Sequence, residues 1–81
     1  QFNVYPNPAS DVATVSFEAG AETKVQIVLS DLSGRVIAEM NTTAQKGHNS
    51  VALDLSTTPK GVYLVKVYGI DNQSYARLTV Q

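Results

Sequence analysis

The sequence predicts an all-β domain, a seven-stranded antiparallel β-sandwich of the immunoglobulin-like type. Three observations lead to this prediction. Apolar and polar residues alternate along most short segments, turn residues recur roughly every ten positions, and no segment repeats apolar residues at helical spacing. A chain of 81 residues is enough for one compact unit, so we predict that residues 1–81 form a single domain.

The first predicted strand, Phe2 to Tyr5, runs into two prolines in the sequence VYPNP at residues 4–8. Proline fixes φ and lacks a backbone N–H, so sheets accept it mainly at edge strands and strand ends. We therefore predict that this strand lies at a sheet edge and that residues 5–8 are extended.

The next four segments, DVATVSFE (11–18), KVQIVLS (24–30), GRVIAEM (34–40) and NSVALDL (49–55), each alternate as half-buried strands do. In the third of them, Ile37 does not fit the alternation. The side chains predicted to face the core are Ala13, Val15, Phe17, Val25, Ile27, Leu29, Val36, Ala38, Met40, Val51, Leu53 and Leu55.

The last two segments differ in character. GVYLVKVYG (61–69) is apolar at both alternating sets of positions, which is typical of a central strand covered on both sides. SYARLTV (74–80) alternates, and it is predicted to place Ala76, Leu78 and Val80 on one face and Tyr75, Arg77 and Thr79 on the other.

Two turns have a clear chemistry. In DLSG, Asp31 is expected to accept hydrogen bonds from the backbone that follows it, and Gly34 is expected to adopt a positive φ. In Pro59-Lys60-Gly61, proline presets the first turn residue, and we expect Gly61 to adopt a positive φ.

Composition excludes several function classes. Six basic and seven acidic residues give a net charge of −1 with no run of either sign, so no nucleic acid or anionic membrane is predicted as a partner. No cysteine is present, which rules out disulfides and thiolate metal sites. No transmembrane segment is predicted. Because the chain opens on Gln1 rather than methionine, we expect it to be part of a longer protein.

No enzyme, cofactor or metal site is predicted. His48 is the single histidine, and we expect it to be a surface residue at the Lys46-Gly47 turn without a nucleophile beside it. The carboxylates Asp11, Asp31, Asp54 and Asp71 all stand next to turns or strand ends, where capping explains them better than acid-base chemistry.

The tyrosines offer one alternative function. Tyr68 and Tyr75 flank the last hairpin loop, and two exposed rings across from one another would suit a small carbohydrate-binding module. A plain immunoglobulin-like spacer or adhesin module is a further alternative.

Four segments spread along the chain have distinctive turn and strand residues. They are VYPNPASD (4–11), LSDLSGRVI (29–37), LDLSTTPKGVYLVKV (53–67) and YARLTV (75–80). In this order and spacing they resemble the C-terminal sorting domain of proteins exported by the type IX secretion system of Bacteroidetes-type bacteria. The resemblance spans almost the whole chain.

The resemblance implies a sorting signal rather than a catalyst. A cargo domain is expected to precede it, the type IX machinery to recognise it, and a surface sortase often to cleave before it and attach the cargo to lipopolysaccharide. The implied route is through the periplasm to the cell surface or the medium. Position by position, the resemblance implicates Pro59, Gly61, Tyr63, Arg77, Leu78 and Val80 as sorting-signal residues.

Overall fold

The computed structural model of the chain describes residues 2–70 and 74–81, and within them seven strands form two antiparallel sheets packed face to face. The predicted β-sandwich is confirmed. The strands are β1 (Asn3–Tyr5), β2 (Val12–Ala19), β3 (Thr23–Asp31), β4 (Val36–Ala44), β5 (Gly47–Asp54), β6 (Gly61–Tyr68) and β7 (Ser74–Val80).

The smaller sheet has the strand order β1-β2-β5 and the larger sheet the order β4-β3-β6-β7. Strand β1 is an edge strand, as predicted, and it pairs with β2 through Val4 opposite Val15. After Tyr5 the chain bends at residues 6–8, and the Tyr5-Pro6 and Asn7-Pro8 peptides are both cis. The predicted extended conformation of residues 5–8 is therefore wrong beyond the end of β1.

The core lies between the two sheets, where every second side chain of each strand points inward. The inward positions predicted for β2 and β3 are confirmed, and Leu53 and Leu55 are also buried. The largest fully buried side chains are Phe17, Ile27, Leu55, Leu78, Val15, Val65 and Val67. Because they come from both sheets and from strands distant in sequence, their burial holds the sandwich together.

Strand β4 departs from the predicted alternation. Leu29 pairs with Ala38, but its neighbour Ser30 pairs with Val36, so Ile37 is the extra residue of an irregularity in the ladder. Val36 is 49% exposed, Ala38 is also exposed, and Ile37 packs against the core together with Met40. The predicted burial of Val36 and Ala38 is therefore wrong.

Strand β6 lies between β3 and β7, so its predicted central position is confirmed. Tyr63, Val65 and Val67 face the core, whereas Val62 is 37% exposed on the other face. The two sheets are the only layers among the described residues, so the predicted cover on both sides of β6 is wrong. The outer face of the larger sheet is instead an accessible surface.

The two predicted turns have different outcomes. In DLSG, Asp31 Oδ1 accepts hydrogen bonds from the backbone N–H groups of Ser33 (3.0 Å) and Arg35 (2.9 Å), and Gly34 has a φ of +96°, as expected. Gly61 has no positive φ; it begins β6, and a Cβ added to it would lie 3.7 Å from the Tyr63 ring, an ordinary contact. The predicted conformation of Gly61 is wrong because the turn ends before it.

Glycine is required at position 69, directly after β6. Gly69 has a φ of +102°, and a Cβ there would overlap the backbone carbonyl oxygen of Lys24. Its φ favours glycine, and the close approach of two backbone segments admits no side chain.

We expect Gly69→Ala to lower the free energy of unfolding by more than about 2 kcal/mol, since it adds a backbone overlap to the strain of a positive φ. Gly34→Ala, where a Cβ meets nothing within 4 Å, should cost only about 1 kcal/mol of backbone strain. Gly61→Ala is the matched control and should change stability by less than about 0.5 kcal/mol. Urea denaturation measures all three, and an equal loss for Gly61→Ala and Gly69→Ala would contradict the assignment.

Candidate functional site

Parts of the four segments that carry the family resemblance lie together at one end of the sandwich. Strand β3 ends where β6 begins, with Asp31 opposite Tyr63, and β7 ends beside the same point, with Val80 opposite Gly61. Residues 6–11, 31–35, 55–60 and 77–81 therefore meet here, and we call this region the motif end. The opposite end, which we call the distal end, carries the turns at 20–22 and 45–46 and Gly69.

Asn7 ties the N-terminal segment to the last strand at the motif end. Its side-chain Nδ2 donates to the backbone carbonyl of Arg77 at 2.9 Å, and its Oδ1 accepts from the backbone N–H of Thr79 at 3.0 Å. The Ala9 N–H donates to the Thr79 carbonyl and the Gln81 N–H to the Ala9 carbonyl, each at 2.8 Å. The Asn7 amide thus acts as the peptide group of a neighbouring strand and closes the C-terminal part of the edge of β7, from Arg77 to Gln81.

The six predicted sorting-signal residues come together at this end, although they lie in two separate segments. The sheet pairs Gly61 with Val80 and Tyr63 with Leu78. Tyr63, Leu78 and Val80 are buried, and the Tyr63 hydroxyl donates a hydrogen bond to the Pro59 carbonyl.

Only Pro59 and Arg77 of the six are exposed, and Gly61 is half-buried. Arg77 lies on the outer face of the larger sheet, opposite Leu64. Tyr63, Leu78 and Val80 can therefore affect the motif end only through core packing. A partner protein can contact Pro59 and Arg77 directly.

Two carboxylates stabilise turns at the motif end. Three donors meet Asp31 Oδ1, and the pKa of Asp31 is lowered chiefly by the Ser33 hydroxyl, which donates at 2.7 Å. Arg35 adds an exposed ion pair at 3.6 Å. The pKa of Asp54 is lowered by the Ser56 N–H, which donates at 2.9 Å. The predicted capping role is confirmed for Asp31 and Asp54; Asp71 lies outside the described residues.

His48 is the second residue of β5 rather than part of a turn. Its Nδ1 lies 3.4 Å from Glu18 Oε2, and its Nε2 lies 3.3 Å from Ser16 Oγ and 3.4 Å from Ser50 Oγ. The expected surface position is correct, and the Ser16 and Ser50 hydroxyls beside the ring were not anticipated. Cross-strand pairing of Glu18 with His48 and of Ser16 with Ser50 brings the four side chains together.

Two further features, a metal-binding cluster and a membrane-spanning helix, are absent from residues 2–70 and 74–81. No three His, Asp or Glu side chains within these ranges are grouped so that they would hold a metal ion. In the same part of the chain, no helix has the length and hydrophobicity that crossing a membrane requires.

A comparison with known protein families settles what kind of domain this is. Residues 3–81 match the family described as the secretion system C-terminal sorting domain. The chain belongs to this family. A comparison with curated proteins gave no match. As a sorting domain of the type IX system, it acts with that machinery to export a preceding cargo through the cell envelope to the surface or the medium.

Sequence reasoning missed the role of Asn7 in the sorting domain. The available signal was an amide side chain held between Pro6 and Pro8, which have no backbone N–H to offer the edge of β7. The partners of Asn7 lie 70 and 72 residues away, which local turn rules do not reach.

We expect Asn7→Ala to lower the free energy of unfolding by about 1–2 kcal/mol, because two backbone groups at the edge of β7 lose their partners. The more specific readout is hydrogen exchange, in which the Thr79 amide should exchange faster. Asn3→Ala, an exposed asparagine on β1, is the control. Unchanged protection of Thr79 in Asn7→Ala would contradict the proposed edge closure.

Acid should destabilise the sorting domain through Asp31 and Asp54. Because the folded state lowers the pKa of both groups, their contribution is complete above the ordinary aspartate pKa and is lost as the pH falls through the folded values, so Tm should drop below about pH 4. Asp31→Asn retains an oxygen acceptor but not the charge. Its Tm should be lower than wild type at neutral pH and fall less on acidification, and an unchanged acid dependence would contradict this role.

Proposed function

We propose that the type IX machinery recognises this sorting domain at its motif end, with Pro59 and Arg77 as contact residues. One observation carries the proposal: four segments separated in sequence converge there, and these two side chains are the exposed ones among the six residues that the family resemblance implicates. Buried Tyr63, Leu78 and Val80 support recognition by fixing the positions of the exposed pair, and half-buried Gly61 begins β6 between Pro59 and Tyr63.

A charged contact is the interaction that Arg77 supplies. Its guanidinium carries a permanent charge and five donors, which suit a carboxylate or a backbone carbonyl on a partner. Its backbone carbonyl is held by Asn7, and its strand is paired with β6, so the base of the side chain is fixed. A fixed base lowers the entropy that ordering the side chain costs on binding.

The same family resemblance supports the remaining steps of our proposal. The domain folds in the periplasm and crosses the outer membrane, and a surface sortase then cleaves before it and attaches the cargo to lipopolysaccharide. The structural contribution of the domain to these steps is a folded motif end presented after the cargo.

We also propose that the domain has no catalytic activity, although Glu18, His48 and Ser16 occur in the order of an acid-base-nucleophile array. The His48 and Glu18 side chains are 61% and 54% exposed, and β2 is paired on both sides at Ser16. Backbone N–H groups held in a sheet ladder cannot turn toward a developing oxyanion, and water weakens any charge stabilisation there.

Hydrolysis of p-nitrophenyl acetate tests the absence of catalysis. We expect the wild-type domain and His48→Ala to give nearly the same rate. An exposed imidazole outside a substrate-binding cleft hydrolyses the ester no faster than free imidazole at the same concentration does. A wild-type rate that saturates with substrate and is lost in His48→Ala would contradict this part of the proposal.

The recognition proposal is tested by fusing the domain to an inert periplasmic reporter in a bacterium with a type IX system. Arg77→Glu should leave Tm nearly unchanged, within about 0.5 kcal/mol of stability, and should strongly reduce surface delivery of the reporter. Lys46→Glu, the same charge reversal at the distal end, is the matched control and should be exported normally.

Normal export of Arg77→Glu would remove Arg77 from the recognition surface. Equal loss of export in Arg77→Glu and Lys46→Glu, with both variants folded, would contradict a recognition site confined to the motif end. Failure of the unmodified fusion in a host that exports its own cargo would contradict the motif end as a self-sufficient signal.

A further inference from the structure

A groove of about 590 Å³ crosses the outer face of the larger sheet near the distal end. Its lining includes Lys24, Gln26, Asn41, Thr43 and Tyr68. These side chains belong to three neighbouring strands and lie on the face away from the core, since their neighbours Val25 and Val67 point inward. The groove lies toward the distal end of the sheet, whereas Pro59 and Arg77 lie at the motif end.

The register aligns one ring with two amides. Gln26 on β3 pairs with Tyr68 on β6 and, on its other side, with Asn41 on β4. Tyr68 is 36% exposed. Two strand spacings separate the ring from the Asn41 amide, a distance of roughly 10 Å, which two linked pyranose units span.

A second ring lies beside the groove rather than in its lining, on the same face of β7 as Arg77. Tyr75 on β7 is 68% exposed and pairs with Lys66, two residues before Tyr68 on β6. The two tyrosines are therefore diagonal neighbours on one face, about 7–8 Å apart, rather than directly opposite as the sequence suggested. Tyrosine combines an apolar ring with a polar hydroxyl and is ordered at small entropic cost.

The amides are suited to hydroxyl groups. The Gln26 Nε2 donates to Glu39 Oε1 at 3.3 Å, which orients the Gln26 side chain and leaves its oxygen to accept a bond from a ligand. Asn41 offers both a donor and an acceptor, and Lys24 offers further donors. Neighbouring hydroxyls of a sugar ring each donate and accept, so this pattern matches them.

The same face is less suited to a protein strand or an apolar protein surface. Strands β3 and β6 are paired on both sides, so their backbone groups under the groove are already used in the sheet. The nearest outward aliphatic side chain on β3, Val28, is only 8% exposed. Apart from the tyrosine ring, β3 thus offers no exposed apolar side chain in the groove that could anchor a protein partner.

We propose that this groove is a carbohydrate-binding site for a linear oligosaccharide, with the rings of Tyr68 and Tyr75 stacking on pyranose faces and the amides of Gln26 and Asn41 bonding to hydroxyls. Gly69, where a Cβ would overlap the Lys24 backbone, lets the strand ends close together at the side of the groove.

The test titrates the 15N-labelled 81-residue chain with cellohexaose, xylohexaose and chitohexaose, followed by NMR. At least one hexasaccharide should shift the amide signals of residues 24–26, 41–43, 68–69 and 75, with a Kd of roughly 0.1–1 mM, as a shallow open site allows. No shift from any of the three, or shifts confined to other parts of the chain, would overturn the proposal.

Variants locate the binding. Tyr75→Ala, at a largely exposed position, should weaken the binding at least about tenfold, or 1.4 kcal/mol, and Tyr75→Phe should retain it because the ring remains. Tyr5→Ala is the control, since Tyr5 is 49% exposed on the other sheet. Equal affinities for wild type, Tyr75→Ala and a folded Tyr68→Ala would overturn the site.

Discussion

The structure depends on closing the free edge of β7. An open edge presents unpaired N–H and C=O groups that invite pairing with another chain. Here the chain leaves β1 in the smaller sheet, bends at its two prolines, and lays Asn7 and Ala9 along β7 in the larger sheet. The same segment therefore protects the edge and joins the two sheets along one side of the sandwich.

Closure of this edge also explains why signal and fold are difficult to separate. Leu78 and Val80 belong to the segment that marks the family, yet both are almost completely buried in the core. Loss of either side chain would create a cavity beneath Arg77, Thr79 and Gln81, whose backbone groups bond to Asn7 and Ala9. Substitutions that address recognition alone have to be made at outward positions of the same strand, of which Arg77 is one.

The two ends of the sandwich thus carry different chemistry. The motif end combines a buried framework with a few exposed side chains and two carboxylates that stabilise turns. The distal end combines the Tyr68 ring with amides around an open groove, and the exposed Tyr75 ring lies beside it. An antiparallel sandwich makes such a division simple, because its turns collect at two opposite ends while the strands between them remain rigid.

Sequence reasoning succeeded where the determining contacts are local or periodic. Alternation correctly predicted the core faces of β2 and β3. The turn at Asp31 was predictable because the groups that donate to its carboxylate lie within four residues of it. The position of Gly61 and the alternation of β4 were wrong, since one depends on where a turn stops and the other on an extra residue in a ladder. For the candidate site, the resemblance names residues in two segments, but their convergence depends on the pairing of β6 with β7, which local sequence rules do not reach.

The Asn7 contact joins residues that are synthesised at different times, because they lie 70 and 72 positions apart in the chain. A chain emerging from its N-terminus, from a ribosome or a channel, cannot complete this contact until Thr79 has also emerged. Strand β6 likewise lacks one neighbour until β7 arrives. The larger sheet is therefore completed only when the C-terminal residues are present, so a chain truncated before β7 exposes an unfinished sheet rather than a functional fragment.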